Sequence, residues 1–76
     1  QIYNALGNCY VAAKQPKQAI NAFLHTDLLF YQDPEQHAEA LYRLGELFNS
    51  MSKFDESAEA REKLKSRYGT SPWAKK

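Results

Sequence analysis

The chain has 76 residues, and its ten Lys and Arg stand against nine Asp and Glu for a net charge of +1. Apolar residues make up 43% and charged residues 25%, the make-up of an ordinary globular domain, which excludes a collagen-like or wholly disordered chain. No apolar run approaches the ~18 residues of a membrane-crossing helix, a single cysteine (Cys9) excludes an internal disulfide, and no Cys/His cluster has zinc spacing.

One small all-α domain over 1–76 is expected, burying only ~60% of its unfolded surface and so narrowly stable. No signal peptide is present, and the chain starts at Gln1 rather than Met, so it reads as a piece of a longer one. The first helix is expected over 1–14, with Ile2, Leu6, Cys9, Tyr10 and Ala13 as its apolar stripe. Pro16 suits the first turn of the second helix, which runs to about Tyr31. Its stripe is Ile20, Phe23, Leu24, Leu28 and Tyr31, interrupted by Asp27. Asp33-Pro34 reads as an N-cap followed by proline at the first helical position, and the third helix extends to about Met51 through Ala38, Leu41, Leu44, Gly45 and Phe48.

Ser52 is the expected cap of the fourth helix. Asp55 and Glu56 in its first turn, and Lys63, Lys65 and Arg67 near its end, suit the helix dipole. Glu59 and Lys63 have the spacing of an i,i+4 ion pair. Gly69 should stop the helix, and Ser71-Pro72 repeats the cap-plus-proline signature, so a capping helix is expected to start at Trp73. No stretch alternates with period two for long enough to be a strand.

Sliding the sequence by 38 positions aligns it without a gap. Only four of 38 positions are identical, but the matches fall at structurally demanding places. Leu6-Gly7 falls on Leu44-Gly45, Tyr10 on Phe48, Ala19 on Ser57, Ala22 on Ala60, Phe30 on Tyr68, Asp33 on Ser71 and Pro34 on Pro72. The chain therefore divides into two repeats, 1–38 and 39–76. A glycine in the first helix of each lets the second approach closely, at a helix-propensity cost of ~1 kcal/mol. Ala19 and Ser57 are the expected small facing residues, and Tyr10 and Phe48 the side chains that fill the wedge between hairpins.

This pattern resembles the tetratricopeptide repeat: Tyr3, Leu6-Gly7, Tyr10, Ala19 and Phe23, then Leu41, Leu44-Gly45, Phe48, Phe54 and Ser57. The usual period of about 34 is exceeded by roughly one helical turn. The junction Tyr68-Gly69-Thr70-Ser71-Pro72-Trp73-Ala74 is similar to that of the long-period variant in bacterial Tol–Pal coordinators and outer-membrane-assembly lipoproteins. Those repeats usually carry Pro where Gly69 stands, and Arg61 occupies the place that Phe23 holds in the first repeat.

The resemblance implies two antiparallel helix-turn-helix hairpins stacked as part of a right-handed superhelix. It implies a protein-interaction scaffold without cofactor or catalysis, in the periplasm or cell envelope. Its groove positions carry over to Asn4, Asn8, Val11, Tyr42, Glu46 and Asn49, where a partner protein or peptide would lie. Asparagine can donate to and accept from a peptide backbone, and Tyr42 offers an amphipathic contact. A carboxylate clamp of the chaperone-binding kind is not implied, since Asn4 replaces the expected base and Glu46 would repel the ligand. Exposed ends at Ile2, Tyr3 and Trp73 would favour self-association or marginal stability.

Other chemistry is thinly represented. Cys9 reads as a small core hydrophobe and His25 and His37 as surface histidines, with no partner completing a metal site. Glu35, Glu39 and Glu46 share a helix without a catalytic counterpart, and no phosphate loop or nucleophile elbow occurs. Residues 61–76 hold six bases and one acid, a local +5. The alternative reading is therefore an electrostatic binder of nucleic acid or an anionic surface through the C-terminal helix. A single aromatic, Tyr68, sharing the face of Arg61 and Lys65 argues against a nucleic-acid platform.

Overall fold

The computed structural model describes residues 2–29 and 33–76, with Ile2 described by its backbone. Four helices follow one another: α1 (Ile2–Ala12), α2 (Pro16–Leu29), α3 (Pro34–Ser50) and α4 (Phe54–Tyr68). No strand occurs among the described residues. The short connections after α1 and α3 reverse the chain, so α1 packs against α2 and α3 against α4 as antiparallel hairpins. The hairpins stack through α2 on α3 and, more narrowly, α1 on α3. The parts of the expectation that concern Gln1, the Ile2 side chain, Phe30 and Tyr31 lie outside the described residues.

The 38-residue translation is visible in the backbone. After α1, Lys14 N–H donates to the Val11 carbonyl (3.0 Å) and Gln15 N–H to the Tyr10 carbonyl (2.9 Å). After α3, Ser52 N–H donates to the Asn49 carbonyl (3.1 Å) and Lys53 N–H to the Phe48 carbonyl (2.8 Å). Lys14 and Ser52 both have φ 60°. Each helix thus ends on a left-handed residue that returns N–H groups to the last turn, but with a side chain where glycine is the usual choice. Ser52 is consequently the terminator of α3 and not the cap of α4. The N-cap of α4 is Lys53, without a side-chain cap bond.

The expected caps at the proline junctions do form. Asp33 Oδ1 accepts from Gln36 N–H (3.3 Å), and Ser71 Oγ accepts from Trp73 N–H (3.2 Å). Ala74 N–H then reaches the Ser71 carbonyl (3.0 Å) and Lys75 N–H the Pro72 carbonyl (3.2 Å), so the chain makes a turn at 72–75 in place of a fifth helix. Gly69 follows α4 at φ −58°, a right-handed conformation open to any residue. Its need is clearance, because a Cβ there would stand 2.8 Å from the Lys65 carbonyl oxygen.

The core grows from the glycine notch of each hairpin. Phe23, completely buried, lays its ring over Gly7, where a Cβ would stand 2.6–2.9 Å from three ring carbons. Ala19 and Ala22 continue that face of α2, and Ala40, Leu44, Leu47 and Ala60 close over it from α3 and α4. Tyr10, Ile20 and Phe48 pack along its edge, which puts the two aromatics in the wedge between hairpins. In the second hairpin Ser57 Oγ donates to the Gly45 carbonyl (2.8 Å), and Arg61 lies where Phe23 does in the first. A second cluster of Ala38, Leu41 and Leu64 is flanked by Tyr42, Tyr68, Trp73 and Ala74.

Of the apolar stripe expected on α1, Tyr10 packs at the core edge but Leu6, Cys9 and Ala13 do not face the core. Leu6 (41%) and Val11 (44%) are exposed, as are Cys9 and Ala13, while Asn4 and Gly7 are buried. Because Gly7 must meet Phe23, the helix is turned so that positions 3, 4, 7 and 10 point inward, and 100° per residue then places Leu6, Cys9 and Ala13 on the other side. Cys9 is therefore an exposed thiol and not a core residue. On α2 the buried line is Ala19, Ala22, Phe23 and Thr26, leaving Leu24 at the edge and Leu28 in solvent.

The two glycines should respond oppositely to alanine. Gly7→Ala forces a methyl into a fully buried ring, which outweighs the ~1 kcal/mol gain in helix propensity; a net loss of about 1–2 kcal/mol is expected in urea unfolding. Gly45→Ala meets Arg61 Cγ at 3.2 Å, and since Arg61 is exposed and can shift, its stability should be unchanged or raised by up to ~1 kcal/mol. Lys14→Gly and Ser52→Gly should each add about 0.5–1 kcal/mol by relieving the left-handed backbone, read as a higher melting temperature.

Candidate functional site

The stacked hairpins bring α1 and α3 side by side, and their adjoining faces hold most of the residues expected to line a groove. An open hollow of about 370 Å³ collects Asn8 and Val11 from α1 and Arg43, Glu46, Leu47 and Ser50 from α3. A neighbouring hollow of about 330 Å³ is walled by Tyr42 and Glu46 of α3, Arg61 and Lys65 of α4, and Trp73 and Lys76. Glu46 lines both, so the two form one continuous tract. Asn49 is exposed but lines neither hollow.

Asn4 is the exception and corrects the expectation. It is 2% exposed, and its Nδ2 donates to the Gln36 carbonyl (3.0 Å), Gln36 Oε1 (3.1 Å) and Glu39 Oε1 (3.3 Å). Its amide joins α1 to the start of α3 and is not presented to a partner. Asn8 Nδ2 reaches the other oxygen of the same carboxylate, Glu39 Oε2, at 3.4 Å. Glu39, named in the sequence only as one of three acids on a helix without a catalytic counterpart, is thus spanned by two asparagines one helical turn apart.

The Tyr42 end is aromatic and cationic. Tyr42 and Trp73 have ring centroids 5.5 Å apart, and the Arg43 guanidinium lies 5.7 Å and 5.4 Å from the two rings. Lys76 Nζ stands 5.3 Å from the Trp73 ring, while Arg43 Nη1 also pairs with Glu46 Oε1 at 3.4 Å. Trp73, expected as an exposed end, is half-buried by these contacts. Tyr3 is likewise half-buried, stacked on the His25 ring at 5.1 Å.

A polar cluster that the sequence reading dispersed lies between the hairpins. His37 is completely buried, not a surface histidine. Its Nε2 bonds Asp27 Oδ1 of α2, and its Nδ1 lies 2.7 Å from the Tyr68 hydroxyl of α4. The carboxylate can only accept, so Nε2 carries the proton, and in the neutral imidazole Nδ1 accepts from the phenol. Lys63 Nζ lies 3.3 Å from both oxygens of Asp27, so the Glu59–Lys63 pair expected from spacing is given up for a bond across the hairpins. Both ring nitrogens are engaged by protein and neither is left for a substrate. The sequence held only a partial signal: Asp27 breaks an apolar stripe, and a half-buried carboxylate calls for a donor without saying which.

Among the described residues no three His, Cys, Asp or Glu come together as metal ligands, and no helix is long and apolar enough to cross a membrane. The chain matches no protein-family model, and neither curated proteins nor solved structures match it.

Removing Asp27 strands the buried Nε2–H of His37, whereas removing Lys63 releases an exposed ammonium. Asp27→Ala should cost about 1–3 kcal/mol and Tyr68→Phe about 1 kcal/mol. Lys63→Ala should cost at most ~1 kcal/mol. Equal losses for the Asp27 and Lys63 variants in urea unfolding would show that the ion pair, and not the imidazole bond, carries the contact.

Proposed function

We propose that the chain is a non-catalytic, tetratricopeptide-like scaffold that binds a protein or peptide along the tract between α1 and α3, in keeping with the cell-envelope assembly role its resemblance implies. The observation that carries this reading is the gathering of Asn8, Val11 and Glu46 around one hollow, with Glu46 continuing into the aromatic wall of Tyr42 and Trp73. Asn8 and Asn49 supply donors and acceptors for a backbone, Val11 an exposed apolar contact, and Tyr42 an aromatic edge. Asn4 acts behind this surface by holding α1 to α3. The hollows are open, shallow and lined by mixed side chains, which suits an extended peptide better than an enclosed small molecule.

The test is selection of binders from a random displayed peptide library, followed by affinity measurement on variants. Val11→Asp and Glu46→Ala should each weaken selected peptides about tenfold, the scale of an interface contact worth ~1–2 kcal/mol. Peptides that bind these variants as well as the parent chain would refute the reading. Affinity for arbitrary DNA that falls steeply with salt and is lost in Arg61→Glu/Lys65→Glu would favour the electrostatic alternative.

A further inference from the structure

The opposite side of the molecule carries a second groove. α2 and α4 both pack on α3 and are joined to each other by the Asp27–Lys63 bond, without close backbone packing, and the gap between them is an open groove of about 510 Å³. Its floor is apolar, formed by Leu41, Leu44 and the half-buried Phe48 of α3, with Leu24 (37% exposed) on the α2 wall. Along α4 its rim carries Glu56, Glu59 and Glu62, and Asp27 of α2 and Lys63 of α4, bonded to each other, also line it, so four carboxylates face one ammonium.

The three glutamates are poorly neutralised. Glu56 has only the exposed Lys53 ammonium at 4.0 Å, and Glu59 and Glu62 have no cationic partner among the described residues. Lys63, the base with the right spacing to serve Glu59, is held at Asp27. Within the groove that ammonium is spent on Asp27, which leaves the three glutamates as its excess charge.

We propose that this outer groove docks a cationic amphipathic helix of a partner protein. Bulky apolar side chains spaced i, i+3/i+4 would enter between α2 and α4, the helix-in-groove mode of recognition. Lys or Arg flanking that stripe would meet Glu56, Glu59 and Glu62. The sign of the rim rejects nucleic acid, an anionic lipid surface and an acidic peptide, each of which would place like charge on it. The surface is separate from the tract between α1 and α3, so it stands whether or not that tract binds anything.

The experiment uses the whole chain, ¹⁵N-labelled, titrated with a synthetic leucine–lysine peptide of ~18 residues whose leucines follow helical spacing. Amide shifts should move at Leu24, Phe48, Glu59 and Glu62. Binding should weaken about tenfold in Glu59→Gln/Glu62→Gln, fall in Leu24→Asn, and fade as salt rises toward ~1 M, where the screening length is ~3 Å. Val11→Asp should leave it unchanged, which separates this surface from the inner tract. A leucine–glutamate peptide of the same pattern should not bind. The proposal is overturned if the leucine–lysine peptide fails to bind, if it binds the folded double-Gln variant with full affinity, or if the shifts centre on Tyr42 and Trp73.

Discussion

An imidazole buried between a carboxylate and a phenol holds the two hairpins together. His37 belongs to the second hairpin, yet one of its nitrogens is bound by Asp27 from the first and the other by Tyr68 from the helix behind it. A fully buried polar ring is costly unless every donor and acceptor is met. The meeting of three helices at one ring therefore fixes their relative positions more sharply than apolar contact, which tolerates sliding. Lys63 completes the arrangement by neutralising Asp27 where that carboxylate reaches the surface. A short internal apolar core of alanines and leucines, with one buried phenylalanine, has few other directional constraints to offer.

The two repeats share a backbone plan but solve the same packing problem differently. Gly7 and Gly45 occupy equivalent places, and both chain reversals use a left-handed residue with the same pair of return bonds. In the first hairpin the notch receives a buried aromatic ring, and in the second it receives the aliphatic stem of an exposed arginine together with a serine hydroxyl on the glycine carbonyl. The ring in the first hairpin seats α1 with Gly7 inward, which turns Leu6 and Cys9 outward. The looser second notch leaves Arg61 free to line a surface hollow.

This construction leaves two faces of different character. Between α1 and α3 the surface holds an amide, Asn8, and ends in an aromatic wall crossed by cations, while between α2 and α4 it is apolar below and carries an excess of carboxylates above, with the Asp27–Lys63 bond among them. Neither is an enclosed cavity, and both are bounded by helices whose inner faces are already committed to the core. What each face can recognise follows from the side chains those commitments leave over: Asn8 and Glu46 on one side, Glu59 and Leu24 on the other.

The sequence by itself determined the helices, their order and the hairpin pairing. Helical spacing, Asp33-Pro34, and the recurrence of Leu-Gly, small residues and proline at 38 positions are local signals, carried by propensity, caps and sterics within a few turns. Of the positions carried over from the resemblance, Asn8, Val11 and Glu46 are exposed and Tyr42 is half-buried. The tertiary structure alone decided which way α1 is turned, and with it the burial of Asn4 and the exposure of Cys9, because hydropathy could not outvote the contact between Gly7 and Phe23. It alone decided that Lys63 leaves Glu59 for Asp27 and that His37 is a buried link. Those residues lie 10, 31 and 36 positions apart in the chain, and no periodicity within one helix reports on a bond made between helices.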